Sequence, residues 1–327
     1  MREPVESRFQ EIVENIVSEI RTLVRERLVV AFSAGEDSSL VAALAKMALG
    51  SQRVELVTVD WGPFMYDNAR SGVTKVAQEL GLRHTFINGQ RRQSEVWRHG
   101  PSCNMCTRYA KLDLILSMRG DFVVATGSNL SDSWGKNGVK MNGRVYSPLK
   151  DLDKDTIRLL IGYLGIKPMK IGESTQREGC KLKHLLKMLI NPFYHGDAVD
   201  RSNEVLLRFL REIDYKHTAA NVKVIGPLSK NIALVNVLPH LDDSQSNELI
   251  RRMKDVKTIE EIEILKKPVK LKVLLNPSLY NNPVARTSVF HGFIEKDFAV
   301  PVRTEWIKSE NSRLRTFQVV GFEYDHR

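Results

Sequence analysis

The sequence predicts an α/β fold, a doubly wound parallel sheet, followed by a small α+β domain and a β-rich C-terminal appendage. Three observations predict it. Apolar strand-like runs alternate with Ala/Leu/Val-patterned helical runs through the first half of the chain, the pattern of parallel strands joined by crossover helices. The run Leu28 to Val41 joins a strand to a helix through a short Ser/Gly/Asp turn. The strand Phe122 to Ala125 ends in another small-residue loop, Thr126 to Asp132, and ligands of such sheets gather at the carboxyl ends of strands.

From Val5 to Arg27, Phe9, Ile12, Val13, Ile16, Val17, Ile20, Leu23 and Val24 recur at helical spacing, which predicts an amphipathic helix leading into the first strand, Val29 to Phe32. The helix after the turn runs from Ser38 to Ala48. A second strand, Val54 to Asp60, is followed by a helix over Asn68 to Leu80, a stop at Gly81 and a third strand at His84 to Ile87. Asp153 or Asp155 starts a helix that reaches Leu164, and the sheet domain closes near Ile171. Then come a helix over Ser202 to Ile213, strands near Val222 to Ile225 and Ile232 to Val237, and a charged helix over Asp242 to Leu265. From Pro268 on, Val269 to Leu275, Ser288 to Ile294 and Phe317 to Phe322 read as β-rich runs broken by Asn-Pro pairs. The expected divisions are a lead helix, 1–27; the nucleotide domain, 28–198; the α+β domain, 199–265; and the appendage, 266–327.

With 327 residues, 42% hydrophobic and 27% charged, the chain has enough apolar side chains for a full core. Three cysteines and no apolar leader among the first residues predict reduced thiols and a cytoplasmic protein without a membrane segment. The net charge of +10 fits a polyanionic partner such as RNA, or equally a lysine-rich solvated surface.

The turn after the first strand is suited to pyrophosphate. The first turn of the following helix leaves backbone N–H groups without intrahelical partners at the positive end of the helix dipole. Ser33, Ser38 and Ser39 add hydroxyls, and Gly35 lets the backbone approach a ligand closely. The Gly-Lys-Ser/Thr ending of a Walker loop is lacking. The competing expectation is an ordinary strand-to-helix turn capped by Asp37 or Ser38.

Cys103 and Cys106 lie two residues apart ahead of a helix expected over Thr107 to Leu116, with Cys180 far downstream. This spacing suits a metal centre. A four-iron four-sulfur cluster on three cysteines keeps one iron open, whereas zinc would take His84, His99 or His184 as its fourth ligand. A redox Cys-x-x-Cys pair and plain buried cysteines are the other readings.

The run Ser33-Ala34-Gly35-Glu36-Asp37-Ser38 resembles the Ser-Gly-Gly-x-Asp-Ser signature of the PP-loop ATP pyrophosphatases, with Ala34 in place of the first glycine. An Ala forced to positive φ there would cost about 1 kcal/mol. Together with Cys103-x-x-Cys106, Thr126-Gly127-Ser128-Asn129 to Asp132, Ser147-Pro148-Leu149 followed by Asp155 to Arg158, and Cys180, the chain resembles the sulfur-inserting branch of that superfamily. LarE-type sulfur transferases and TtcA/TtuA-type tRNA 2-thiolases are similar over residues 10–240. The zinc fingers of the TtuA type and the Ala-x-Arg segment of the LarE type are missing.

The resemblance implies the adenine nucleotide alpha hydrolase-like fold and an AMP- and pyrophosphate-forming sulfurtransferase. ATP would be held by Ser33, Ala34, Gly35, Glu36, Asp37, Ser38, Ser39, Asp60, Thr126, Gly127 and Ser128. Glu36 must point away from the phosphates or help to hold magnesium. Asp37 and Asp132 would orient Mg2+ or the attacking group, with Lys111 standing in for a basic residue of the thiolases. Cys103, Cys106 and Cys180 would hold the 4Fe-4S cluster, with Zn2+ as the alternative. Expected partners are tRNA or a small-molecule acceptor, a sulfur donor protein or sulfide, and a second copy in a homodimer. The competing functions are ATP-dependent amidation, as in the NAD and GMP synthetases of the same superfamily, and a zinc-stabilised RNA-binding protein. Arg91, Arg92, Trp97, Arg98 and His99 form a basic and aromatic neighbourhood suited to RNA or to a solvated loop.

Overall fold

The computed structural model describes residues 3–118, 120–132, 136–169 and 179–325. Along the chain run α1 (Glu3–Leu23), β1 (Leu28–Ala31), α2 (Glu36–Leu49), β2 (Val54–Asp60), α3 (Asp67–Leu80), β3 (Arg83–Asn88) and α4 (Gln90–Trp97). The helical segment 103–116, here α5, contains a π-helical stretch, Cys106–Leu112. There follow β4 (Val123–Ala125), β5 (Met141–Asn142), β6 (Val145–Tyr146), α6 (Lys154–Tyr163), α7 (Asp197–Glu212), β7 (Ala219–Ile225), β8 (Ile232–Leu238), α8 (Asp243–Met253), β9 (Glu261–Ile264) and β10 (Val269–Leu275). The last elements are α9 (Pro277–Tyr280), α10 (Pro283–Val289), β11 (Val302–Lys308) and β12 (Phe317–Tyr324).

Two compact units divide the chain: Met1–Asp60, Asp67–Gly89 and Lys111–Ile171 form one, and Trp61–Tyr66, Gln90–Ala110 and Gly172–Arg327 the other. In the first, a six-stranded sheet has the order β3-β2-β1-β4-β6-β5, parallel throughout except for β5. Leu28, Val29 and Val30 of β1 are fully buried, as central strands covered on both faces require. Val13, Ile16, Val17 and Ile20 of α1 are buried, in accord with the helical spacing read from the sequence. The strand order reverses at β1, with β2 on one side and β4 on the other, so the carboxyl end of β1 opens at a topological switch point.

The second unit holds two three-stranded sheets, β7-β8-β9 and β11-β10-β12. Here the sequence-based expectations need three corrections. The charged helix stops at Met253, and Glu261-Ile262-Glu263-Ile264 is a strand parallel to β8. Its alternation has period two, and Asn231 holds its approach through Thr258 O and the Glu260 N–H. The run from Ser288 to Ile294 is helical: Asn282 caps the helix by accepting from the Ala285 N–H, and Pro283 occupies its first turn. The unanticipated β11 runs parallel to β10.

Candidate nucleotide site

The strand-to-helix turn lies wholly in the first unit. Gly35 precedes α2 with extended backbone, and no side chain caps the helix, so its first N–H groups face outward from the strand end. Ser38 ties the turn together: its Oγ accepts from the Ser33 N–H at 3.2 Å, lies 3.2 Å from Ser33 Oγ and donates to Gly35 O at 3.3 Å. Ala34 takes the left-handed conformation, φ +55°, and is fully buried. Its carbonyl accepts from the Met169 N–H at 3.0 Å. Ser39 is fully buried, with no hydrogen-bond partner for its Oγ among the described residues.

The loop after β4 meets the same turn. A Cβ on Gly127 would stand 2.6 Å from Asp37 Cβ and 3.2 Å from Ser38 N, so only glycine allows this approach. Thr126 is fixed by its N–H to Tyr146 O and by its hydroxyl, 3.0 Å from Ser147 Oγ, with Ser128 Oγ at 3.4 Å. Asn129 donates to Gly127 O and accepts from Ser131, while Asp132 accepts from the Asn129 N–H at 3.0 Å. Asp132 thus shapes the loop that touches Asp37.

Two basic residues complete the cluster: Lys154, which the sequence reading passed over, and Arg158, which it quoted as part of the motif from Asp155 without a role in the site. Lys154 Nζ lies 2.5 Å from Asp37 and 3.6 Å from Glu36, and Arg158 lies 3.7 Å from Glu36. Glu36 is therefore drawn toward α6. Lys154 sits in the first turn of α6, where the dipole disfavours a cation, and that anomaly was the signal for an anionic partner. Asp60 is gripped by Arg70 through Nε at 3.2 Å and Nη2 at 2.9 Å, and the carboxylate holds the guanidinium pKa above its ordinary value. Lys111 is half-buried on the π-helical stretch of α5.

The cysteines belong to the second unit. Cys106 is buried in an apolar cluster with Trp97, Phe64, Leu182 and Leu185, and half-buried Cys103 and Cys180 pack against the same cluster. Cys180 Sγ accepts from Gln93 Nε2 at 3.0 Å. Among the described residues, no group of three or more His, Cys, Asp or Glu side chains is placed to hold a metal ion. The described residues therefore lend the expected 4Fe-4S cluster, or zinc in its place, no support. The proposed fourth ligands are engaged elsewhere or enclosed. His84 bonds Thr58 Oγ1 in the first unit, His99 Nδ1 is 3.0 Å from Arg313 O, and burial pushes the fully enclosed His184 well below the usual imidazole range. Trp97 is also a core residue rather than an exposed stacking surface, 1% exposed with its indole N–H on Leu185 O.

A family model described as NAD synthase matches residues 8–99, which carry the lead helix and the turn. A probable glutamine-hydrolysing GMP synthase of Caenorhabditis elegans is 26% identical over 249 residues, covering 60% of this chain. Both matches support the PP-loop superfamily. The chain spans about one third of the length of that curated relative, 33%. Neither match singles out the sulfur-inserting branch; they favour an ATP-utilising, ligase- or amidotransferase-like PP-loop class. Among the described residues, no helix is long and apolar enough to cross a membrane.

Proposed function

We propose that this chain is a PP-loop ligase that adenylates an acceptor oxygen and lets a nitrogen nucleophile displace AMP. The observation that carries this reading is the uncapped start of α2 at the switch point, with Ser33, Ser38 and the closely apposed Gly127 around it. The β- and γ-phosphates of ATP lie against the α2 N–H groups and the two serine hydroxyls. The acceptor oxygen attacks the α-phosphorus, the bond to the β-phosphate oxygen breaks, and pyrophosphate leaves. Ammonia then adds to the activated carbon, AMP departs with the original oxygen, and the nitrogen loses its surplus proton. Magnesium would be held by hard carboxylate donors, for which Asp37 and Asp132 are suited, and supplies charge neutralisation to the phosphates. Lys154, paired with Asp37, places a further positive charge beside the leaving group.

A second reading, sulfur in place of nitrogen, is favoured by one observation: three thiols pack on a single apolar cluster, one of them accepting an amide N–H. A single assay separates the two. With Mg-ATP and acceptor fractions, the nitrogen reading expects AMP and pyrophosphate in equal amounts and product with ammonium but not sulfide. Product with sulfide alone, lost in Cys103→Ala, Cys106→Ala or Cys180→Ala, would replace it with the sulfur reading. Absence of pyrophosphate with every acceptor fraction would contradict both.

A further inference from the structure

A cavity of about 300 Å³ in the second unit lies between the end of α4, the start of α5 and the strand entry at Arg315 and Thr316. Its apolar surfaces come from Val96, Met105 and Tyr109, and Ser102 and Met105 bring the Cys103-x-x-Cys106 turn beside it. The turn carrying Arg313 and Arg315 is pinned to His99, just past the end of α4: the Arg315 N–H donates to His99 O, and His99 Nδ1 bonds Arg313 O. This brings exposed Arg98, Arg313 and Arg315 together, with Arg108 one helical turn beyond Met105. None of these four guanidinium groups lies within salt-bridge distance of a described carboxylate, although Arg98 acts on Glu95 through space.

The cavity's lining also carries a carboxylate, Glu95. Glu95 accepts from Tyr109 OH at 2.8 Å and from Arg91 at 3.1 Å, which keeps it ionised. Its oxygens retain lone pairs for an incoming N–H. Glu95 disfavours phosphate within the cavity, while exposed Arg98, Arg108 and Arg313, with Arg315 on the cavity's lining, attract it around the opening. One other acidic side chain, exposed Glu310, lies on the Arg313 turn. The volume suits a single flat heterocycle against Tyr109 and Met105, its amino edge on Glu95. The net charge of +10 supports the same polarity of partner.

We propose that this face binds single-stranded RNA, with one unstacked base in the cavity and the flanking phosphates on Arg98, Arg108, Arg313 and Arg315. The structure thus replaces Trp97, which is core, with Tyr109 and Met105 as the base-facing surface. RNA as the acceptor depends on the adenylating reading; RNA binding does not.

The test is fluorescence anisotropy of the full chain with a labelled 12-nucleotide RNA, single-stranded or annealed to its complement, without ATP and over a range of salt. The single strand is expected to bind more tightly than the duplex. Arg98→Ala/Arg315→Ala should weaken binding at least tenfold and reduce the salt slope by about 1.4, two phosphate contacts on a single strand. Met105→Glu, an exposed change, should remove the preference for single strands, and Lys266→Ala/Lys267→Ala should alter nothing. Equal binding of duplex, an unchanged salt slope in the double variant, or binding of free nucleoside monophosphate but not RNA would overturn the proposal. A protein that holds RNA but forms no pyrophosphate contradicts the adenylating reading alone. One that forms pyrophosphate but ignores RNA contradicts this proposal alone.

Discussion

Ala34 keeps φ at +55° in the turn, where the Ser-Gly-Gly-x-Asp-Ser signature that this run resembles has glycine, and nothing in its own side chain favours that conformation. Ala34→Gly should raise stability by about 1 kcal/mol, seen as a higher urea midpoint at constant m-value. An unchanged midpoint would mean that the buried methyl offsets the strain. Gly127→Ala works in the opposite sense, since its Cβ falls 2.6 Å from Asp37 Cβ. Displacing the phosphate turn by even an ångström should reduce pyrophosphate release about a hundredfold. Lys154→Met should lower pyrophosphate release about tenfold while leaving the melting temperature within a few degrees, because Lys154 neutralises Asp37 and Glu36 from a partly exposed position. At this scale Ser33, Asp37 and Ser38 could be named from sequence because the turn chemistry is local, and Gly127 because its own loop is a small-residue turn, although its approach to Asp37 could not be read. Lys154 could not be named, since its pairing with Asp37 spans 117 residues.

Among elements, the turn between β7 and β8 receives a buried lysine with a measurable signature. Lys187, fully buried, donates to Pro227 O at 2.5 Å, Lys230 O at 2.9 Å and Asn231 Oδ1 at 3.2 Å, and burial pushes its pKa down to about 8 although Glu260 opposes the shift. Below pH 8 both folded and unfolded chains carry the proton. Between pH 8 and the ordinary lysine value the unfolded state holds more protons, so stability rises with pH in that window. Relative to Lys187→Met, the wild type should gain about 1 to 2 kcal/mol between pH 8 and 9.5 in denaturant titrations. Parallel curves for the two proteins would place the lysine's proton elsewhere. The elements of the first unit were readable because strand and helix periods alternate cleanly, β2 being found at Val54–Asp60 as expected. In the second unit, Glu261 to Ile264 was absorbed into a helix because its charge pattern outweighed its period of two, and the Asn282-Pro283 cap was taken for a break.

For the molecule as a whole, the sheet order could be anticipated only as a class, since the reversal at β1 depends on long-range pairing of β1 with both β2 and β4. Spacing brought the three cysteines to one apolar cluster, with Gln93 donating to Cys180, but among the described residues no group of three or more His, Cys, Asp or Glu side chains is placed to hold a metal ion, so the metal expectation gains no support. The phosphate turn is the central claim, and its most direct measurement is a titration of ATP, AMP and pyrophosphate against the wild type and Gly127→Ala. The account predicts that the wild type binds ATP at least tenfold more tightly than AMP, that pyrophosphate displaces ATP, and that Gly127→Ala loses the difference. Equal affinity for ATP and AMP, with no displacement by pyrophosphate, would contradict it.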